Sequence, residues 1–230
     1  MANEDQWCFA WHAPRIGDDG QDRAALVKAA KWNAGDVITV SFLDGDPNVQ
    51  QKVQQVAQTW TTPQLARLTF DLRKNTTDTF VRISFKYSGS WSVIGTTCKQ
   101  MTDKTQPTMN YGWLTPQSGD DEIQRVVLHE FGHAIGCIHE HQSPKEKLNW
   151  DVAAVYKAFS GPPNNWSKAD IDSNILQKYS PKGISATIFD KDSIMLYQFD
   201  ASLFTDHKPT PLNTKLSKKD EGMISRMYPK

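Results

Sequence analysis

Apolar and polar residues first alternate regularly at residues 37 to 43, V-I-T-V-S-F-L, where Ile38, Val40 and Phe42 share one face at period two. Asp44-Gly45-Asp46 closes the run with turn residues, which predicts a half-buried strand. The period then changes. Asp46 can cap and Pro47 can open a helix whose Val49, Val53, Val56 and Trp60 recur at intervals of four, three and four. Alternation returns at residues 66 to 72, through Leu68, Phe70 and Leu72, and at 79 to 86, through Val81, Ile83 and Phe85. Residues 91 to 95 and 108 to 114 are shorter extended candidates. The order strand, helix, strand, strand, strand implies a mixed sheet with helices packed on it.

A second helix is predicted to begin between Ser118 and Asp121 and to carry Ile123, Val126, Val127, Glu130, His133 and Ala134, with Gly136 as terminator. Past residue 140, Pro and Gly at 144, 161, 162, 163, 181 and 183 separate only short helical stretches. One places Val152, Val155, Tyr156 and Phe159 at helical spacing. Another opens with Ser167 and Asp170 ahead of Ile171, Ile175 and Leu176. The last opens with Ser217 and Asp220 ahead of Met223, Ile224 and Met227. This change of pattern divides residues 32–230 into an N-terminal lobe, 32–138, and a C-terminal lobe, 139–230. In residues 1–31, Pro14, Gly17 and Gly20 break any period, and the expectation is an irregular segment that wraps the surface or caps a cleft.

Lys plus Arg equals Asp plus Glu at 26 each, with no long run of one sign, so neither a nucleic-acid surface nor an anionic-membrane surface is expected. No stretch reaches the roughly 18 consecutive apolar residues of a membrane span. The start, Met1-Ala2-Asn3-Glu4-Asp5, is acidic where a signal peptide is basic and then apolar. The expected location is therefore extracellular if a leader has been removed and cytoplasmic otherwise, and the expected state is a monomer. Three cysteines, Cys8, Cys98 and Cys137, exclude a disulfide framework, and Cys137 reads as a small buried residue rather than a metal ligand.

Four of the six histidines fall between residues 129 and 141, in H-E-F-G-H-A-I-G-C-I-H-E-H. His129 and His133 are four apart, so on a helix both rings project from one face and can bind one tetrahedral ion at about 2.0–2.1 Å. Gly136 lets the backbone turn so that His139 approaches from another direction. Three imidazoles leave one position open, as catalytic rather than structural zinc sites do. Glu130, next to His129, is then placed as general base for a water whose pKa the zinc lowers, and can return the proton to the departing amine.

The long motif H-E-x-x-H-x-x-G-x-x-H resembles that of the metzincins, and within them the astacin family is most similar. Two features point to it: Glu140 directly after the third histidine, and Ser193-Ile194-Met195-Leu196-Tyr197, which is similar to the astacin Met-turn. The resemblance implies an α+β, metzincin-like fold. It would have a mixed twisted sheet plus active-site helix in the first lobe, an irregular and mostly helical second lobe, and a zinc cleft between them. It implies a zinc-dependent endopeptidase acting on protein or peptide substrates. Met195 would be an apolar floor beneath the ligands, Tyr197 a mobile extra ligand that stabilises the oxyanion, and Glu140 the anchor of a freed N-terminus. Gly89-Ser90-Trp91-Ser92 and Met109-Asn110 resemble the stretch leading to the edge strand along which extended substrate pairs. Cys8 or Asp18 would be the candidates to block the metal, but the reading preferred for both is that of solvated turn residues. The chain departs from the family at Gln142-Ser143-Pro144, at Leu196 and in its few cysteines. Two other readings stand beside the endopeptidase: a non-catalytic zinc-stabilised module that docks a protein, and a zinc hydrolase of small amides.

Overall fold

The computed structural model describes residues 30–162, 164–180 and 188–230, and the backbone of Cys8–Trp11. Asp18, Pro163, Pro181 and Gly183 lie outside the described residues, as does the Cys8 side chain.

A six-stranded sheet forms the first part of the fold. Its strands are β1 (Cys8–Trp11), β2 (Val37–Phe42), β3 (Thr69–Leu72), β4 (Val81–Ser84), β5 (Ser90–Val93) and β6 (Met109–Tyr111), in the order β1-β5-β6-β4-β2-β3. β3, β2, β4 and β6 run parallel to one another, β5 runs antiparallel to β6, and β1 pairs in parallel with β5. The sheet is mixed, as the element order implied. β1 is new: four residues, C-F-A-W, form a strand inside the segment predicted to be irregular, and they register Cys8 to Ser90 through Trp11 to Val93. A run this short has no readable period, and its place is fixed by the open edge of β5 rather than by its own pattern.

Helix α1 (Pro47–Ala57) crosses from β2 to β3. Asp46 caps it by accepting from the amides of Asn48 and Val49, and Pro47 sits in the first turn, as the sequence predicts. The sheet is covered more fully than half-buried strands require. In β2 the supposedly outward Thr39 and Ser41 are buried beside Ile38 and Val40. Their hydroxyls are used: Ser41 hydrogen-bonds Thr79 at 2.7 Å, and Thr39 Oγ1 accepts from Phe80 N. In β4, Arg82 is fully buried, and its guanidinium donates to the carbonyls of Gln106 and Thr79, both at 2.7 Å, which pins the loop before β6.

Helix α2 (Asp120–Ala134) lies against the sheet and α1, and every residue from Val126 to Cys137 is buried. Asp120, Asp121 and Glu122 fill its first turn, where the unpaired amides favour negative charge. Beyond it come α3 (Val152–Ser160), α4 (Lys168–Ile171), continued by a wider helical turn at Asp172–Leu176, and α5 (Lys218–Met227). The pairs Ser167 with Asp170 and Ser217 with Asp220 both form reciprocal capping boxes. One apolar core runs from Trp32, Ile38 and Ile83 through Val126 and Phe131 to Val155, Phe199, Ile224 and Tyr228. Among the described residues, no helix is long and apolar enough to cross a membrane.

Candidate metal centre

α2 presents His129 and His133 one turn apart, with ring centroids 4.8 Å apart. Each ring is oriented from its far side. His129 Nδ1 donates to the Ile194 carbonyl and His133 Nδ1 to the Cys137 carbonyl, both at 2.9 Å. A carbonyl can only accept, so the proton resides on Nδ1 and each Nε2 presents a lone pair.

The turn that brings in His139 is built by Gly136, at φ +98°. Gly136 N donates to His133 O and Cys137 N to Gly132 O, the pair of bonds that closes a helix on a left-handed residue. The same turn returns the Cys137 carbonyl to His133. The Ala134 and Ile135 carbonyls, left over at the helix end, accept from Trp32 Nε1 at 2.9 Å and Tyr228 OH at 2.5 Å. His139 Nε2 then lies 3.0 Å from His133 Nε2, and one nitrogen from each of the three histidines falls within 4.8 Å of the others.

The three rings are 0–4% exposed, and His129 Nε2 has no hydrogen-bond partner among the described residues. Burial holds His129 and His139 well below the ordinary histidine range, with further lowering by neighbouring histidines. Imidazole lone pairs converging on one point would repel one another in a dry site, and a cation between them removes the repulsion. The donor set, three nitrogens and no thiolate, therefore fits a metal ion of the zinc type. Cys137, buried and outside this group, has its thiol pushed up by burial and is a packing residue.

Glu130 is wholly buried beside His129. Tyr197 places its hydroxyl 2.5 Å from His139 Nε2, and its ring is tilted against the His139 ring at 4.3 Å. Met195 lies under α2, where Gly132 makes room for it: a Cβ on Gly132 would come within 2.4 Å of Met195 Sδ. Glu140 directly follows the third histidine. Its amide donates to Met195 O, and its carboxylate accepts from Asp190 N at 2.8 Å. Burial raises that carboxyl to about 7. Of the residues singled out in the sequence, His129, His133, His139 and Tyr197 are brought together, while Glu130 is buried on α2, Gly136 forms the turn, Met195 packs against Gly132 and Glu140 is tied to Asp190 and Met195.

Other residues carry weight that their spacing did not reveal. Gln142 donates from Nε2 to the Ser173 carbonyl at 2.8 Å. His141, fully enclosed, stacks on His139 at 5.1 Å and donates from Nε2 to Asn174 O. Asp220 accepts from Ser193 Oγ and Ile194 N, fixing the 193–197 segment from α5. Only the clustering of His141 with the other histidines could have flagged one of these in advance.

No protein-family model and no curated protein sequence matches the chain. Solved structures do. A structure of myroilysin superposes with a TM-score of 0.84 at 38% identity, covering 89% of this chain and 98% of that one. A crystal structure of myroilysin superposes with a TM-score of 0.67, also at 38% identity, covering 88% and 87%. With that identity sustained over nearly the whole of both chains, and with three buried histidines gathered at one point, the protein belongs to the metallopeptidase family of myroilysin.

Proposed function

We propose that the protein is a zinc-dependent endopeptidase of astacin-like type, acting on protein or peptide substrates, with residues 32–138 and 139–230 as the two lobes flanking its cleft. The observation that carries the reading is the convergence of His129, His133 and His139 on one buried point, with the Tyr197 hydroxyl against His139 and Glu130 buried on the same helix as the first two ligands. His129, His133 and His139 would hold the ion. When bound, zinc supplies a Lewis acid that polarises the scissile carbonyl and acidifies water.

The chain's own residues do the rest. Glu130, excluded from solvent and adjacent to the first ligand, takes the proton of the attacking water and passes it to the departing amine. Tyr197 turns its hydroxyl from His139 towards the substrate carbonyl and donates to the charge that develops on its oxygen. Met195 and Gly132 keep the floor dry. An extended substrate pairs along the outer edge of β5, the edge that β1 holds in this structure, so the two compete for one row of backbone groups.

The test is Glu130→Gln. The variant is expected to retain one zinc per chain by metal analysis and to lose at least about a hundredfold in kcat on casein or a peptide library, the scale of a general base. Zinc retained with full proteolysis would sink the assignment. A wild-type chain that binds zinc yet cleaves nothing would favour the docking module instead, and turnover of short amides alone would favour the small-amide hydrolase.

A further inference from the structure

One peptide group of the Met-turn is held at both of its ends. The Ile194 carbonyl accepts from His129 Nδ1 at 2.9 Å. On the same peptide unit, Met195 N donates to Ser193 Oγ at 3.1 Å, and the Ser193 hydroxyl donates to Asp220 Oδ1 at 2.7 Å. The other Asp220 oxygen accepts from Ile194 N and Ser217 N, both at 2.9 Å. His129, Ser193, Ile194, Met195 and Asp220 are each no more than 4% exposed. A carboxylate on the C-terminal helix is thereby connected without a gap to the first histidine of α2.

We propose that Asp220 is a positioning residue for the metal, the terminal carboxylate of a relay that runs through Ser193 and the 194–195 peptide to His129. Hydrogen bonds in series polarise one another when water is excluded. A hydroxyl donating to a carboxylate accepts more strongly from Met195 N, which draws electron density onto the Ile194 oxygen. That oxygen then holds the Nδ1 proton of His129 more tightly and makes Nε2 a better ligand, as a carboxylate bonded directly to a ligand histidine does. The proposal rests on the reading of the three histidines as a zinc site.

Asp220 also belongs to the capping box of α5, so its two roles must be separated. Ser193 is in the relay and outside the cap. The Ser217 side chain is in the cap, accepting from the amides of Lys219 and Asp220, and outside the relay. The measurement is transfer of zinc from the full-length chain to a chelator of known affinity, alongside urea unfolding of each variant without metal. Ser193→Ala and Asp220→Asn are expected to lose about ten- to a hundredfold in zinc affinity, as direct outer partners of ligand histidines do. Ser217→Ala is expected to be less stable but to keep its zinc affinity. The NMR signal of the His129 Nδ1 proton should move upfield in Ser193→Ala even without metal, because its hydrogen bond weakens.

Should Asp220→Asn fail to fold, Ser193→Ala decides alone. Zinc affinity unchanged in Ser193→Ala, or reduced equally in Ser217→Ala, overturns the relay while leaving the zinc site intact. A wild-type chain that takes up no zinc overturns the reading of the site, and the relay with it.

Discussion

Gly132 lies in the last turn of α2, within the H-E-F-G-H run, where its lack of a side chain still costs helix stability. Its use is steric: an added Cβ would meet Met195 Sδ at 2.4 Å and Trp60 Cζ2 at 3.2 Å, and both neighbours are fully enclosed. Gly132→Ala is therefore expected to lose about 1–3 kcal/mol of stability by overpacking. In urea unfolding, Gly132→Ala combined with Met195→Ala should cost clearly less than the sum of the two single changes. Strict additivity would mean that the contact is not the cause. Cys98 offers a second check. Burial raises its thiol to about 11, so almost no thiolate exists at pH 8, and the native chain is expected to leave Cys98 unalkylated by iodoacetamide for as long as it stays folded. At this scale the positions of His129, Glu130 and His133 were legible because a helix places them by local spacing, and that of His139 because Gly136 marks the turn that follows the helix. Arg82, Asp220 and Gln142 were not, because their work is done on partners far along the chain, and nothing in a local window marks a side chain that will find a distant carbonyl or serine.

The elements that hold the site are locked by side chains from elsewhere. The last carbonyls of α2 accept from Trp32 and Tyr228, so both ends of the folded chain close the turn that delivers His139. Tyr228→Phe keeps the packing and strands the buried Ile135 carbonyl, which should cost about 1–3 kcal/mol in chemical denaturation and leave the zinc stoichiometry unchanged. A second lock joins the loop after His139 to the segment following the Asp172–Leu176 turn: Lys178 pairs at 2.7 Å with Glu146, whose side chain is fully enclosed. Burial raises the Glu146 carboxyl and Lys178 opposes that rise. Without Lys178 the carboxyl goes higher still. A carboxyl raised above its unfolded value favours folding below that value and loses the contribution as pH rises through the folded one. Lys178→Met should therefore be destabilised by about 1–3 kcal/mol at pH 8, discounted because the lysine is half exposed, and the deficit should shrink as pH falls. Adding Glu146→Gln should remove most of the pH dependence. A deficit constant from pH 5 to 8 would contradict the argument. The capped helices were readable because each carries its own start signal. The extent of burial in β2 and β4 was not, since alternation identifies one apolar face and cannot tell whether the polar face meets water or, as at Thr39 and Ser41, a second set of hydroxyls and loops.

At the scale of the whole molecule, the proposed function makes the edge of the sheet the place where substrate would pair. Four strands run one way and β5, with β1 outside it, runs the other, so β5 is the position from which a further strand can be added on the side that β1 now takes. A strand edge offers a single row of amides and carbonyls, and whichever segment occupies it excludes the next. Cys8–Trp11 fills that row through four paired positions, which are the positions proposed to guide an extended substrate. If β1 and substrate compete, removal of residues 1–12 should lower KM for a long fluorogenic peptide while leaving KM for a substrate too short to pair along β5 unchanged. The zinc content of the two forms should be the same, which separates release of the edge from any change at the metal. Equal KM values for the long peptide before and after removal would place substrate recognition away from β5, on the walls contributed by residues 139–230.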